Sequence, residues 1–175
     1  MKKLALFVVI AVATHLTTVA FLPTIINTVV VHRLAELSGG YNRAVAWPRS
    51  DAQARKIVRP SPDLLYTSCA FDVSEHPLRI TAPIQDTYVS ISGFASNTDN
   101  FFALNDSKID AGADGIKRFD VILAKAGAAN LPAGARVITA PSYRGLILFR
   151  SLIPRDADLP RLQKEFQSQQ RCESL

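Results

Sequence analysis

The chain opens on an unbroken apolar stretch: from Leu4 to Val31 there is no formally charged residue, a run of 28. About 20 apolar residues cross the ~30 Å hydrocarbon core as a helix, so this run predicts a membrane span with length to spare. A cleaved signal peptide is the competing reading, with an apolar region of about 7–15 residues ending at a small-x-small site. Thr18-Val19-Ala20 offers such a site weakly, but Phe21-Leu22 and then Ile25, Ile26, Val29, Val30 and Val31 carry the apolar run past it. A retained anchor fits the pattern better. Pro23 removes a helical hydrogen bond and predicts a kink near Val19–Leu22. Beyond it Ile26, Val29, Val30, Leu34 and Leu37 recur at helical spacing, until Ser38-Gly39-Gly40 stops the helix.

After this helix the period changes. Residues 38–63 hold turn formers and charges, among them Trp47-Pro48 and Pro60-Ser61-Pro62, and read as a linker with short helical turns at Tyr41–Ala46 and Asp51–Ile57. From Leu64 the chain alternates: Leu65, Cys69 and Phe71 fall on one face of a strand, Tyr66, Ser68 and Ala70 on the other. Leu78–Ala82, Tyr88–Phe94, Asn100–Leu104, Phe119–Ala124 and Arg136–Thr139 follow as further strands. Gly145–Phe149, apolar throughout, reads as a strand covered on both faces. One helix closes the chain, with Asp158 as N-cap, Pro160 in the first turn, and Leu159, Leu162 and Phe166 as its apolar stripe. Gln163, Lys164, Gln167 and Gln170 are expected to face water. The fold class is thus mainly β: a sandwich or jelly-roll-like domain with a C-terminal helix over residues 64–175, joined by the linker at 38–63 to a transmembrane anchor at 1–37.

Charge changes this picture little. The formal net charge is +5, but Lys2 and Lys3 flank the apolar run and leave 18 basic against 15 acidic residues behind them. Those are scattered, without the basic cluster and interleaved aromatics of a nucleic-acid surface. Lys2, Lys3 and the terminal amine nearly balance Arg33 and Arg43 in the positive-inside comparison. The very short N-terminal flank resembles a bacterial signal-anchor, and so favours an inner-membrane protein with its domain in the periplasm. Within the span His15 lies among Thr14, Thr17 and Thr18. A neutral imidazole bonded to a neighbouring group explains it better than a proton relay, which needs further members. Thr14 and Thr18, one turn apart, offer a small face for a second helix.

Candidate chemistry is sparse. The two cysteines, Cys69 and Cys172, lack metal spacing. They form one disulfide in an oxidising compartment or stand as unrelated thiols, and both readings stay open. His76, in a Ser74-Glu75-His76-Pro77 turn, has no G-x-S-x-G partner. Asp106, Asp110 and Asp114 lack the spacing and closing Glu of a calcium loop. No metal, cofactor or catalytic set is called for. Two polar clusters, Asp63 with Tyr66 and Asn97 with Asn100, are ordinarily turn formers but could line a pocket at one end of a sandwich.

These clusters carry a resemblance. Pro60-Ser61-Pro62-Asp63-Leu64-Leu65-Tyr66-Thr67-Ser68 followed by Phe71-Asp72-Val73-Ser74 resembles the N-x-D-T-L-Y-S … D-L-S signature of the family called domain of unknown function 1254. Tyr88-Val89-Ser90-Ile91, Thr98-Asp99-Asn100-Phe101-Phe102-Ala103, Leu131-Pro132, Leu146–Arg150 and Asp158-Leu159-Pro160 agree in order, covering about residues 42–170. Ser61 stands where that signature has Asn, and Leu64 where it has Thr. The resemblance implies a β-rich domain and no agreed activity. Larger members continue into a second, jelly-roll-like domain (domain of unknown function 1214), which implies a separate membrane protein supplying that half. The expected role is a non-catalytic, membrane-anchored interaction or assembly module pairing with such a companion or with itself. The alternative is a ligand-binding protein or hydrolase with a polar pocket at Asp63, Tyr66, Asn97 and Asn100.

Overall fold

A computed structural model describes residues 2–55, 59–109, 115–129, 131–132 and 136–175. In chain order the elements are α1 (Lys2–Ser38), β1 (Arg43–Ala46), β2 (Leu64–Asp72), β3 (Leu78–Pro83), β4 (Val89–Ala95), β5 (Asn100–Asn105), β6 (Arg118–Ala124), β7 (Arg136–Thr139), β8 (Arg144–Leu152), α2 (Leu159–Glu165) and β9 (Arg171–Ser174). The strands make two sheets, ordered β1-β2-β8-β4-β5 and β7-β6-β3-β9. All pairs are antiparallel except β6 with β7.

The expected alternation builds the core. Cys69 and Phe71 of β2, Ile147 and Phe149 of β8, and Val89 and Ile91 of β4 face Leu78 and Ile80 of β3 and Phe119, Val121 and Leu123 of β6, all fully buried. A sandwich buries one face of each sheet against the other, and these alternate residues are that buried layer. At Gly93/Phe94 the β4–β5 register slips by one residue. The extra residue, Phe101, therefore packs on the core together with Phe102, its ring edge-on to Phe71 at 6.2 Å. Such a bulge is how two consecutive residues of a strand reach one face. Gly93 leaves the room: a Cβ there would lie 2.2 Å from the Phe102 ring.

Several expectations change. The helical turn read at Tyr41–Ala46 is instead β1, paired along β2 from Arg43↔Ala70 to Ala46↔Thr67. Four residues carry too little pattern to show a period, and pairing with β2 decides their conformation. The 38–63 stretch is thus more than a linker, since it supplies a sheet edge. Its second helical turn is a plain turn at Ala52–Gln53, with Ile57 outside the described residues. The chain also does not close on a helix. After α2 it enters β9, which pairs with β3 from Thr81↔Arg171 to Leu78↔Ser174.

Helix α2 buries Leu162 against Leu65 and Ile153, flanked by Leu159 and Phe166 as its stripe predicts. Asp158 precedes it, but its carboxylate accepts from Arg155 at 3.0 Å instead of capping the helix. Gln167 and Gln170 are buried, not wet. The Gln167 amide donates to the carbonyls of Trp47 and Tyr66 at 2.8 and 2.9 Å, pinning this turn to the start of β2. Buried backbone carbonyls need donors, and a glutamine supplies two at once.

Cys69 and Cys172 are joined by a disulfide, with Cα atoms 6.6 Å apart. It ties β2 of one sheet to β9 of the other, so the open alternative of unrelated thiols falls.

Candidate functional site: a cleft between α1 and the sandwich

Helix α1 is one continuous element of 37 residues that contains Pro23. Ser38 ends it: Gly39 and Gly40 take positive φ angles of 74° and 141° and donate to the carbonyls of Glu36 and Ala35. Those φ values suit glycine, which has no Cβ to clash.

The last third of α1 is docked on the domain. Val31, Leu34 and Ala35 pack with Ala70 of β2, Leu146 of β8, and Tyr41 and Val45. The Asn27 amide donates to the carbonyl of Ala95, at the end of β4, at 2.8 Å. The stripe expected from the sequence is therefore shifted. Leu34 faces the domain as expected, but Ile26, Val29 and Leu37 stay exposed, and polar Asn27 joins Val31 and Ala35 in the buried set.

The direction of docking follows from the contacts. Asn27 meets β4, while Val31 to Ala35 meet β8, β2 and β1. Eight helical residues advance about 12 Å, and three strand spacings amount to about 14 Å. The helix therefore runs across the strands, not along them, over one end of the first sheet. Edge strand β5 lies on the side toward the helix N-terminus.

Beside the helix opens a cleft of about 890 Å³. Its helical wall is Asn27, Thr28, Val31 and His32, and its other wall includes Lys125, Ser142, Tyr143 and Arg144. The Arg144 guanidinium lies 4.9 Å over the Tyr41 ring and donates from Nε to Asp72 at 2.6 Å. Partial burial alone would raise the Asp72 carboxyl; hydrogen bonds from Ser74 and Arg144 outweigh it and hold Asp72 below the ordinary carboxylate range. Lys125 donates to the Ser74 carbonyl at 2.6 Å. Ser142 ties the wall together, accepting from the Ser96 backbone at 3.0 Å and donating to the Arg144 carbonyl at 2.8 Å.

The four residues expected to share a pocket do not meet. Tyr66 stands opposite Arg150 on β8, and Arg150 opposite Ser90 on β4. Asn100 stands opposite Phe94, four residues further along β4, which is about 13 Å of strand. Asp63 and Tyr66 thus belong to one end of the sheet, Asn97 and Asn100 to the other. Each has a local structural partner. The Tyr66 hydroxyl accepts from the Ser61 backbone at 2.9 Å, and the Asp63 backbone donates to Ser61 Oγ at 3.2 Å. Asn97 closes a turn on Asp99, donating at 2.6 Å and accepting at 3.2 Å. Asn100 reaches the Gly93 carbonyl at 3.3 Å. His76 is exposed in its turn. Asp110 and Asp114 of the acidic stretch lie outside the described residues, and Asp106 accepts from the Val89 backbone at 3.2 Å. Among the described residues no three His, Cys, Asp or Glu side chains converge on a metal position.

Asn27, Lys125, Tyr143 and Arg144 carry no motif in the sequence, because they come from α1, the end of β6 and the start of β8, which only the fold brings together. One signal was available: an asparagine within an otherwise apolar helical stretch asks for a buried partner.

The sequence profile of a family described as protein of unknown function (DUF1254) matches residues 41–174. The chain belongs to this family. The DUF1254 fold is similar to two solved structures. One is the VPA0106 protein from Vibrio parahaemolyticus, at 16% identity and a TM-score of 0.64, over 87% of this chain and 35% of that one. The other is an uncharacterised protein from Burkholderia cenocepacia, at 15% identity and a TM-score of 0.54, over 83% of this chain and 38% of that one. The likeness is one of fold. The DUF1254 chain spans little more than a third of either relative's length. No curated protein matches it.

Proposed function

We propose that this protein is a single-pass, membrane-anchored assembly module whose sandwich is held rigidly beside the bilayer, in the periplasm, to pair with a companion membrane protein. The uncharged run is 28 residues, some eight more than a span needs. Docking on the domain accounts for that surplus, because Asn27 and Val31 are buried against the sandwich. Lys2 and Lys3 would fix one end of the span, leaving Leu4 to about Pro23 in the hydrocarbon. The disulfide between Cys69 and Cys172 supports an oxidising compartment for the domain.

The observation that carries the pairing is the free flank of α1. Leu37 is 71% exposed although it lies on a helix docked to a domain, and Ile26 and Val29 are exposed on the same side of the helix, about three and two turns before it. Leu37 would stand about 21 Å beyond Pro23 along the helix, too far out for lipid to cover. Exposed apolar residues aligned on one flank mark an interaction surface.

The test is affinity purification of the tagged full chain from detergent-solubilised membranes, beside a Leu37→Asp variant. The wild type is expected to retain a stoichiometric membrane protein bearing the second, jelly-roll-like domain, and the variant to lose at least tenfold of it, about 1.4 kcal/mol of binding. A strictly monomeric wild type by light scattering, with nothing retained, would sink the reading. Recovery of a second copy of the same chain would instead assign the flank to self-association.

A further inference from the structure

The cleft beside α1 has a property the pairing does not use, and from it we propose that it is a binding site for the phosphate of an anionic phospholipid headgroup. This rests on the membrane-anchor reading above. If Leu4 to Pro23 fill the hydrocarbon core, Asn27 stands about 6 Å outside it, within the headgroup layer, which is about 5–7 Å thick on each side. The cleft begins at that level, since Asn27 and Thr28 form the near end of its helical wall.

Its chemistry suits a headgroup phosphate. Among the described residues no carboxylate lines it. Lys125 spends one N–H on the Ser74 carbonyl, and an ammonium has three, so two remain. Arg144 uses Nε on Asp72. Its two terminal nitrogens have no further partner in that ion pair, and the Tyr41 ring holds the guanidinium plane in place. Asp72 offsets part of the Arg144 charge, and His32 is paired with Glu36 at 3.4 Å, which leaves Lys125 as the principal cation. Tyr143, the residue before Arg144 in the β7–β8 connection, also lines the cleft and is 63% exposed. An exposed tyrosine beside cations is the side-chain set favoured at a membrane–water interface. A lipid is favoured over a soluble anion because its acyl chains would run into the bilayer beside Ile25, which is exposed about two turns below His32 of the cleft wall.

The experiment uses the full chain in nanodiscs of phosphatidylcholine alone, or of equimolar phosphatidylcholine and phosphatidylglycerol. Amide exchange is followed over residues 124–127 and 141–145. Phosphatidylglycerol is expected to slow exchange there by at least fivefold, the scale of about 1 kcal/mol for one cation at an anionic surface. Lys125→Gln should abolish most of that slowing, and Lys125→Arg should keep it. Equal exchange in both discs, from a protein that resists carbonate extraction, would overturn the lipid site and leave the anchor standing. A protein that carbonate extracts would overturn both. The same protection produced by inorganic phosphate in phosphatidylcholine discs would overturn the lipid assignment in favour of a soluble anion.

Discussion

Removing the disulfide, by Cys69→Ala with Cys172→Ala, is expected to cost about 4–5 kcal/mol of domain stability. The bonded residues are 103 positions apart, and closing a loop of that size in the unfolded chain is worth about 4.7 kcal/mol in the chain-entropy account. The bond is also placed to matter in the folded state. It joins β2 to β9, and β9 is a four-residue edge strand of Arg171, Cys172, Glu173 and Ser174 with one buried side chain. Without the bond β9 keeps its pairing with β3 and one hydrogen bond, from the Asn42 amide to the Ser174 hydroxyl at 2.8 Å. Since small domains have about 5–15 kcal/mol in all, the double variant should unfold at a much lower denaturant concentration. Urea titration of the purified chain, followed by the fluorescence of Trp47, measures the difference. A shift of under 1 kcal/mol would mean that the two sulfurs are not bonded in the native protein.

Gly145→Ala is expected to be the most damaging single-methyl change, at about 3 kcal/mol. A Cβ at this position would lie 2.2 Å from the backbone carbonyl oxygen of Phe94 and 2.7 Å from the Phe71 ring. The carbonyl belongs to β4, which is paired with β8 from Val89↔Ser151 to Ala95↔Gly145. It can retreat only by opening that ladder, and overpacking of this kind costs about 1–3 kcal/mol or more. Gly127→Ala makes the control. Its φ is 75°, but nothing lies within 4 Å of the added carbon, so only the backbone term of about 1–2 kcal/mol applies. Thermal unfolding of the two variants should therefore separate them. Equal destabilisation would mean that β8 and β4 are not packed as described.

Much of the fold was legible because the core strands obey the two-residue period. Cys69 and Phe71 point into the sandwich core and Leu65 onto α2, as their shared face allows, while the apolar run at Gly145–Phe149 belongs to a strand whose inner face is buried and whose outer face is half-buried, with α1 packing on Leu146. The misses have a common cause. β1 and β9 are four-residue edge strands whose conformation comes from the neighbour they pair with, so Arg-Ala-Val-Ala and Arg-Cys-Glu-Ser carry no period of their own. Gln167 and Gln170 look like solvent residues by type, yet Gln167 is buried because two strand carbonyls need its amide. The surplus length of the apolar run was visible, but its use was not. Which face of α1 meets the domain depends on Asn27 finding the Ala95 carbonyl, a partner 68 residues away. For the same reason the polar clusters at Asp63 and Asn97 could be found as motifs but not located relative to each other. That relation is set by the β2–β8–β4 register, which spreads them to opposite ends of one sheet.

As proposed above, α1 is retained as a span and carries the sandwich on the periplasmic side. Protease digestion of spheroplasts expressing a C-terminally tagged chain tests it most directly, with inverted membrane vesicles as the comparison. The tag is expected to be lost from spheroplasts and protected in inverted vesicles, while an uncleaved N-terminal fragment containing Leu4–Leu22 stays in carbonate-washed membranes. A tag protected in spheroplasts and digested in inverted vesicles would reverse the orientation. A soluble domain lacking its first twenty or so residues would show that the segment is a cleaved signal, and the account would be contradicted.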